Sequence, residues 1–321
     1  MRKKDLVMAP VDPIWKRTLV RAGLRLSFKW PSLLPLPVGI LRKGMDASAR
    51  VFKVRDDVLI QPSILGGVPG EVLRLQQGAR KLHILHFHGG AFFTGSCHTH
   101  RALAAEMAAR CQAVVHLLDH RLAPEHPYPA ALHDGLVAWQ ALLNQGVPPQ
   151  HIVLSGDSGG CAQVLALVQH LRDRRESLPA ALYMMSPYLD LRLRAASVQG
   201  RRWGDPMVTA HALRRGGDAY RRGISVDDPR VSPLLGSLKG LPPALVQVGS
   251  DEILLDDALN FRQFAHQAGC VVQLVQYQGY WHNFQMFAGT LRAADQALNE
   301  LAHFVRLHVP LDHVVPCRAV A

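Results

Sequence analysis

His151-Ile152-Val153-Leu154-Ser155-Gly156-Asp157-Ser158-Gly159-Gly160 reads as an apolar strand that runs into G-x-S-x-G, and a helical run follows directly. A serine between flanking glycines at that junction is the signature of a sharp strand-to-helix turn. Such a turn forces its central residue into strained φ/ψ space, leaves no room for side chains at the flanking positions, and holds a hydroxyl near a helix N-terminus at the top of a sheet. Ser158 is therefore the candidate nucleophile.

A second strand, Leu82 to Phe87, ends in His88-Gly89-Gly90-Ala91. This H-G-G-x arrangement can turn backbone N–H groups toward a developing oxyanion. The oxyanion-hole candidates are Gly89, Gly90, Ala91 and Gly159, with the last three as the natural donors. Losing one such donor typically costs ~10² to 10³ in rate.

A serine hydroxyl needs a base, and the base needs an orienting carboxylate. When a nucleophile sits on this kind of elbow, the acid and then the histidine follow it along the chain. The apolar strand Ala244 to Val248 ends in Gly249-Ser250-Asp251-Glu252, and the strand 272–277 leads into Gly279-Tyr280-Trp281-His282-Asn283-Phe284. Asp251 and His282 thus complete the expected triad. Glu252, Asp256 and Asp257 compete for the acid's role but lie deeper in the loop or in the following helix.

Outward from these motifs, short β-rich runs give way to strands alternating with longer helical stretches. That alternation predicts an α/β fold with a mostly parallel eight-stranded sheet flanked by helices. Candidate strands are 51–55, 57–61, 71–75, 83–88, 113–118, 151–155, 181–186, 244–249 and 272–277. Candidate helices are 99–110, 130–144, 158–172, 255–268 and 289–307. Two stretches interrupt the pattern, a basic N-terminal segment and residues 187–232, and together they suggest a cap over the carboxyl edge of the sheet.

The 321 residues suffice for one large domain with additions, and 48% hydrophobic with 19% charged residues marks a globular chain. The five cysteines are odd in number and include no C-x-x-C pair, so free thiols in a reducing compartment are expected. No uninterrupted apolar stretch follows Arg2-Lys3-Lys4, which favours a cytoplasmic location. The net charge of +11 is uneven, because residues 1–50 hold eleven Lys and Arg against three Asp. Asp12 and Pro13 predict a helix start. Trp15, Leu19, Ala22 and Leu26 then share one face, while Arg17, Arg21 and Arg25 stack on another and repel. A weak contact with an anionic membrane surface is one reading of the arginines; the favoured one is the solvated face of a helix packed on the main domain. No nucleic-acid-binding module accompanies them.

The run Asp119-His120-Arg121-Leu122-Ala123-Pro124-Glu125-His126-Pro127-Tyr128-Pro129-Ala130-Ala131 joins the motifs above in an order that resembles the hormone-sensitive-lipase-like branch of the α/β-hydrolases. The resemblance covers roughly residues 50–308. It implies the α/β-hydrolase fold, serine esterase activity on small to medium esters, no metal or organic cofactor, and a cap made of the N-terminal segment plus an insertion. The expected organisation is 1–48 as a basic helical cap segment, 49–186 with 233–310 as the catalytic domain, 187–232 as the cap insertion and 311–321 as a tail. Three positions depart from the branch: Ala91 replaces a third glycine, Gly159 an alanine, and His120 a tyrosine. Trp203 to Thr209 is similar to the cap of short-chain acetyl esterases and monoterpene lactone hydrolases.

His83, His86 and His88 share a strand, yet Gly89 to Phe92 supply no further ligand and H-E-x-x-H is absent, so no metal is expected. His88 is expected to brace the oxyanion loop, and Glu125 and Asp157 to fix loops through backbone N–H groups. Phe92, Phe93, Trp203 and Trp281 are candidates for the wall of a substrate pocket. The expected partner is a small-molecule ester, and a homodimer is compatible with the sequence. A lactonase or amidase would use the same triad, and a ligand receptor on the same fold is a further reading.

Overall fold

Nine strands form one sheet among the residues that the computed structural model describes, which are 6–9, 11–78, 81–200 and 204–310. They are β1 (Leu6–Met8), β2 (Val58–Leu65), β3 (Val68–Leu75), β4 (His83–Phe87), β5 (Val114–Leu118), β6 (Ile152–Asp157), β7 (Ala181–Met185), β8 (Ala244–Gly249) and β9 (Val272–Tyr277). Their order is β1-β9-β8-β7-β6-β4-β5-β3-β2. Pairing is parallel from β1 to β5, and β3 and β2 join antiparallel. The strand order reverses about β4, so the loops after β4 and β6 open a crevice at a topological switch point, where α/β sheets bind ligands.

The helices are α1 (Ile14–Leu24), α2 (Val38–Ser48), α3 (Cys97–Cys111), α4 (Ala130–Asn144), α5 (Gly159–Asp173), α6 (Ala196–Gly200), α7 (Ala210–Arg221), α8 (Leu255–Gln267) and α9 (Arg292–His308). Buried side chains of α4, α5 and α8, such as Trp139, Leu165 and Phe261, fill one face of the sheet. Those of α3 and α9, such as Met107, Leu298 and Phe304, fill the other. Continuous burial along β6, β7 and β8 explains their mostly apolar sequence. Cys97, Cys111, Cys161 and Cys270 are unpaired thiols, and no helix among the described residues is long and apolar enough to cross a membrane.

Two expectations about the sheet need correction. There are nine strands, not eight, because Leu6–Met8 adds an edge strand beside β9. Residues 51–55 form no strand, since Phe52 packs edge-on against Phe287 at 5.2 Å and its apolar character serves a tertiary contact.

Asp12 also acts differently from expectation. Pro13 precedes the first helical residue of α1, and the Asp12 carboxylate instead accepts from Arg292 N (2.9 Å) and Ala293 N (3.1 Å) at the start of α9, and from the Tyr280 hydroxyl (2.7 Å). It caps a helix at the far end of the chain.

The N-terminal helix is turned over relative to the favoured reading. Arg17 donates to Gly279 O (3.2 Å) and lies over the Tyr280 ring, and Arg21 donates to Asp251 (2.7 Å) and Gly204 O (2.5 Å) and lies over the Trp281 ring. These acceptors and ring faces offset the repulsion between the guanidinium groups. Trp15, Leu19 and Leu26 face solvent instead. Further along, Lys29 Nζ donates to Asp205 O (2.5 Å), Ser32 and Thr209 share a hydroxyl contact of 3.2 Å, and Arg215 donates to Leu36 O (2.7 Å). Residues 14–48 and 204–221 are thereby joined over the crevice. The expected tail, 311–321, lies outside the described residues.

Candidate active site

Ser158 stands between β6 and α5 with φ 49° and ψ −122°, a conformation an L-residue holds only when its surroundings impose it. Gly160 shows how. A Cβ there would lie 2.0 Å from Phe87 O, and one at Gly156 would lie 2.7 Å from the Gly160 carbonyl carbon. Glycine is required on both sides because β4 and α5 press on the turn. Ser158 N donates to Met185 O (2.9 Å), which ties the elbow to β7.

The carboxylate that faces His282 is that of Glu252, and the expected Asp251 carboxylate is turned away from it. The Asp251 carboxylate is directed at Arg21, whereas Glu252 is fully buried with Oε2 3.3 Å from His282 Nδ1. Glu252 Oε1 also accepts from Ser186 Oγ (2.7 Å) and Gly249 N (2.6 Å). The cause is a turn directly after β8. Asp251 N donates to Tyr280 O (3.0 Å) and Glu252 N approaches Gly249 O (3.4 Å), so the chain folds back and residue 252 points inward.

Burial raises the Glu252 carboxyl from its ordinary value, opposed by its bonds to His282, Ser186 and Gly249. For His282, burial acts to lower the pKa, but the hydrogen bond and charge of Glu252 outweigh it and the net direction is up. A carboxylate at Nδ1 assigns the proton to that nitrogen and leaves Nε2 as the basic one.

Two contacts bring the loop carrying His282 beside the elbow. Asn283 Nδ2 donates to Asp157 Oδ2 (2.5 Å), and Asn283 N donates to Ser186 Oγ (2.9 Å), the hydroxyl that also donates to Glu252. Ser158 and His282 consequently line the same cavity.

Asp157 is the hub beneath it. Its carboxylate accepts from Gly89 N (2.9 Å) and His100 Nε2 (3.2 Å), and His86 Nε2 lies 3.4 Å away. Burial acts to raise this carboxyl, but His100, His86 and their hydrogen bonds hold it well below the usual range. The Gly89 N–H is therefore committed to Asp157 and is no oxyanion donor. Gly90 (φ 123°) and Ala91 (φ 48°) carry the turn past it. No described residue accepts from the N–H of Gly90, Ala91 or Gly159.

His88 donates from Nδ1 to Gly89 O (2.8 Å) and stacks on His120 at 4.3 Å, with burial holding it well below its ordinary pKa and hence neutral. His83 pairs with His116 (2.9 Å) and His86 with Ser155 (2.9 Å), so the three strand histidines do not converge. Glu125, expected to fix a loop through backbone N–H groups, is exposed, and its carboxylate pairs with the Arg42 side chain of α2 at 2.7 Å.

The cavity above Ser158 has a volume of about 290 Å³. Gly90, Ala91 and Phe93 line its base; Phe28, Leu41, Met45 and Phe52 approach from the N-terminal segment, and Met207, Val208 and Leu213 from the insertion. Phe92 and Trp281 belong to the core instead. Phe92 stacks on Tyr220 at 4.3 Å, and Trp281 is fully buried against Tyr280 and Phe287. Trp203 lies outside the described residues. The part of the wall formed by Phe28, Leu41, Met45 and Phe52 was missed because these side chains come from a segment with no motif.

A family model described as the α/β hydrolase fold matches residues 84–286. An esterase of Acinetobacter venetianus is 45% identical over 292 residues, covering 91% of this chain and 96% of that protein. An acetyl-hydrolase of Streptomyces hygroscopicus is 36% identical, covering 75% of this chain and 84% of its own length. A crystal structure of an esterase from the bacterial hormone-sensitive lipase family superposes with a TM-score of 0.89 at 31% identity, over 93% of this chain and all of that one. The chain belongs to the α/β-hydrolase family. Within it, this is a carboxylic ester hydrolase of the hormone-sensitive-lipase-like branch.

Proposed function

We propose that Ser158, His282 and Glu252 form the catalytic triad of an esterase that acts on small to medium carboxylic esters. The observation that carries this reading is the buried Glu252–His282 pair beside a serine held at positive φ under an apolar cavity. His282 Nε2 removes the Ser158 proton as Oγ attacks the ester carbonyl. The N–H groups of Gly90, Ala91 and Gly159 stabilise the tetrahedral oxyanion without reorganising. His282 then protonates the departing alcohol, and Glu252 offsets the imidazolium charge in a site where water cannot. Water, deprotonated by the same imidazole, hydrolyses the acyl-enzyme.

The N-terminal helices and residues 187–232 act as a cap, because both contribute to the cavity wall and are hydrogen-bonded to each other. The name of one relative, an acetyl-hydrolase, supports short acyl groups. The test is the rate on nitrophenyl esters of increasing acyl length beside Ser158→Ala. That variant is expected to lose ~10⁴-fold or more of turnover, and near-normal rates would exclude Ser158 as the nucleophile.

A further inference from the structure

The outer surface of the N-terminal segment combines features that the ester chemistry does not use. Trp15 (66% exposed), Leu19 (67%), Leu26 (60%) and Trp30 (56%) follow one another along α1 and its continuation, and Leu33 and Leu34 extend them in solvent. Four large apolar groups on one exposed stripe exceed the scattered single residues of an ordinary surface. The face that would normally be solvated, with Arg17 and Arg21, is the one that packs.

The charges around the stripe are of one sign. Asp12 is taken up as the cap of α9, and Asp46 accepts from Ser96 Oγ (2.6 Å), so the acids of the described segment turn toward the body. Arg25 flanks the stripe on a helical projection, Lys43 and Arg50 are exposed on α2 and just after it, and Lys16, on the stripe's other side, donates to Thr290 O. The stripe also leads to the active-site cavity. Pro31, Ser32 and Leu36 line that cavity, as do Ile40 and Gly44, which are exposed at its rim.

We infer that this face docks the enzyme on an anionic phospholipid surface, with Trp15, Leu19, Leu26 and Trp30 entering the headgroup boundary and the flanking cations meeting lipid phosphates. Tryptophans with aliphatic side chains on one face and basic residues beside them are what an interfacial helix needs, since apolar burial and charge attraction add. Docked in this way, the cavity rim lies at the lipid surface, and a membrane-dissolved ester passes from lipid to Ser158 with little exposure to water. The substrate side of this inference rests on the proposed esterase function; the docking does not.

The test uses the full-length chain carrying Ser158→Ala, sedimented with vesicles of phosphatidylglycerol and phosphatidylcholine or of phosphatidylcholine alone. Binding is expected to the anionic vesicles, with weakening in high salt. Adding Trp15→Glu and Leu19→Glu should reduce it by ~10-fold or more. The same pair in the Ser158-intact enzyme should leave the rate on a soluble ester within ~2-fold, which also shows that the variant folds. Absence of binding to anionic vesicles, or equal binding by the stripe variant, overturns the inference. A dimer that becomes a monomer in the stripe variant overturns it too, because a second copy is then the occupant. If the intact chain binds vesicles but does not cleave soluble esters, the esterase reading fails and the docking stands.

Discussion

Arg21 Nη1 lies 2.7 Å from Asp251 Oδ2, and this pair directs the carboxylate next to Glu252 away from His282 and makes it the anchor of α1. Adjacent residues thus divide two tasks: Asp251 holds α1 and Glu252 faces the imidazole. The two carboxylates leave the same turn in opposite directions.

The pH profile should carry the mark of Glu252. Because the carboxylate raises the His282 pKa above its ordinary 6.5, kcat/KM should fall with acid through a midpoint above that value. Removing the charge with Glu252→Gln should move the midpoint of the residual activity down, toward the value burial alone dictates. A pH–rate profile of both proteins on a soluble ester checks the direction.

Asp12 should matter to stability far more than its place near the N-terminus suggests. Asp12→Ala leaves two α9 amides and the Tyr280 hydroxyl without their acceptor, at a cost of about 1–2 kcal/mol. Burial acts to raise this carboxyl, but the Arg292 and Ala293 amides and the Tyr280 hydroxyl lower it overall from 3.8. A depressed carboxylate contributes stability that is fully present above its unfolded pKa and is lost as pH falls through the folded one. The gap between wild type and Asp12→Ala in denaturant melts should therefore be full at neutral pH and shrink below pH 3.8.

Gly44 lines the cavity on α2, and a Cβ there meets nothing within 4 Å. Gly44→Phe should fill the upper cavity while sparing the space next to Ser158. The expected result is a loss of ~10-fold or more in kcat/KM for the longer acyl esters, with acetyl esters much less affected. A uniform loss across the series would place the acyl chain elsewhere.

The elbow was legible in the sequence because its steric demand falls on residues adjacent in the chain. Gly156 and Gly160 announce the turn that Phe87 O and the helix backbone enforce. The position of His282 beside the elbow was legible because a strand end delivers it. Which carboxylate faces it was not, since Asp251 and Glu252 follow the same strand and the hydrogen bond from Asp251 N to Tyr280 O decides which points inward. The Gly89 amide was misjudged for a similar reason, as its acceptor, Asp157, comes from β6. Nor did periodicity reveal which face of α1 packs. Its partners are Gly279, Tyr280, Trp281 and Asp251, all from loops far along the chain, and they present carbonyls, rings and a carboxylate instead of an apolar groove.

The division of labour between the two acids is tested most directly by measuring kcat/KM of Glu252→Gln and Asp251→Asn on one soluble nitrophenyl ester. Glu252→Gln should lose ~10³-fold or more, as expected when the imidazole loses its orienting carboxylate. Asp251→Asn breaks a partly exposed ion pair and should stay within ~5-fold of wild type. The reverse order, with Asp251→Asn crippled and Glu252→Gln nearly intact, would contradict the assignment of Glu252 to the triad.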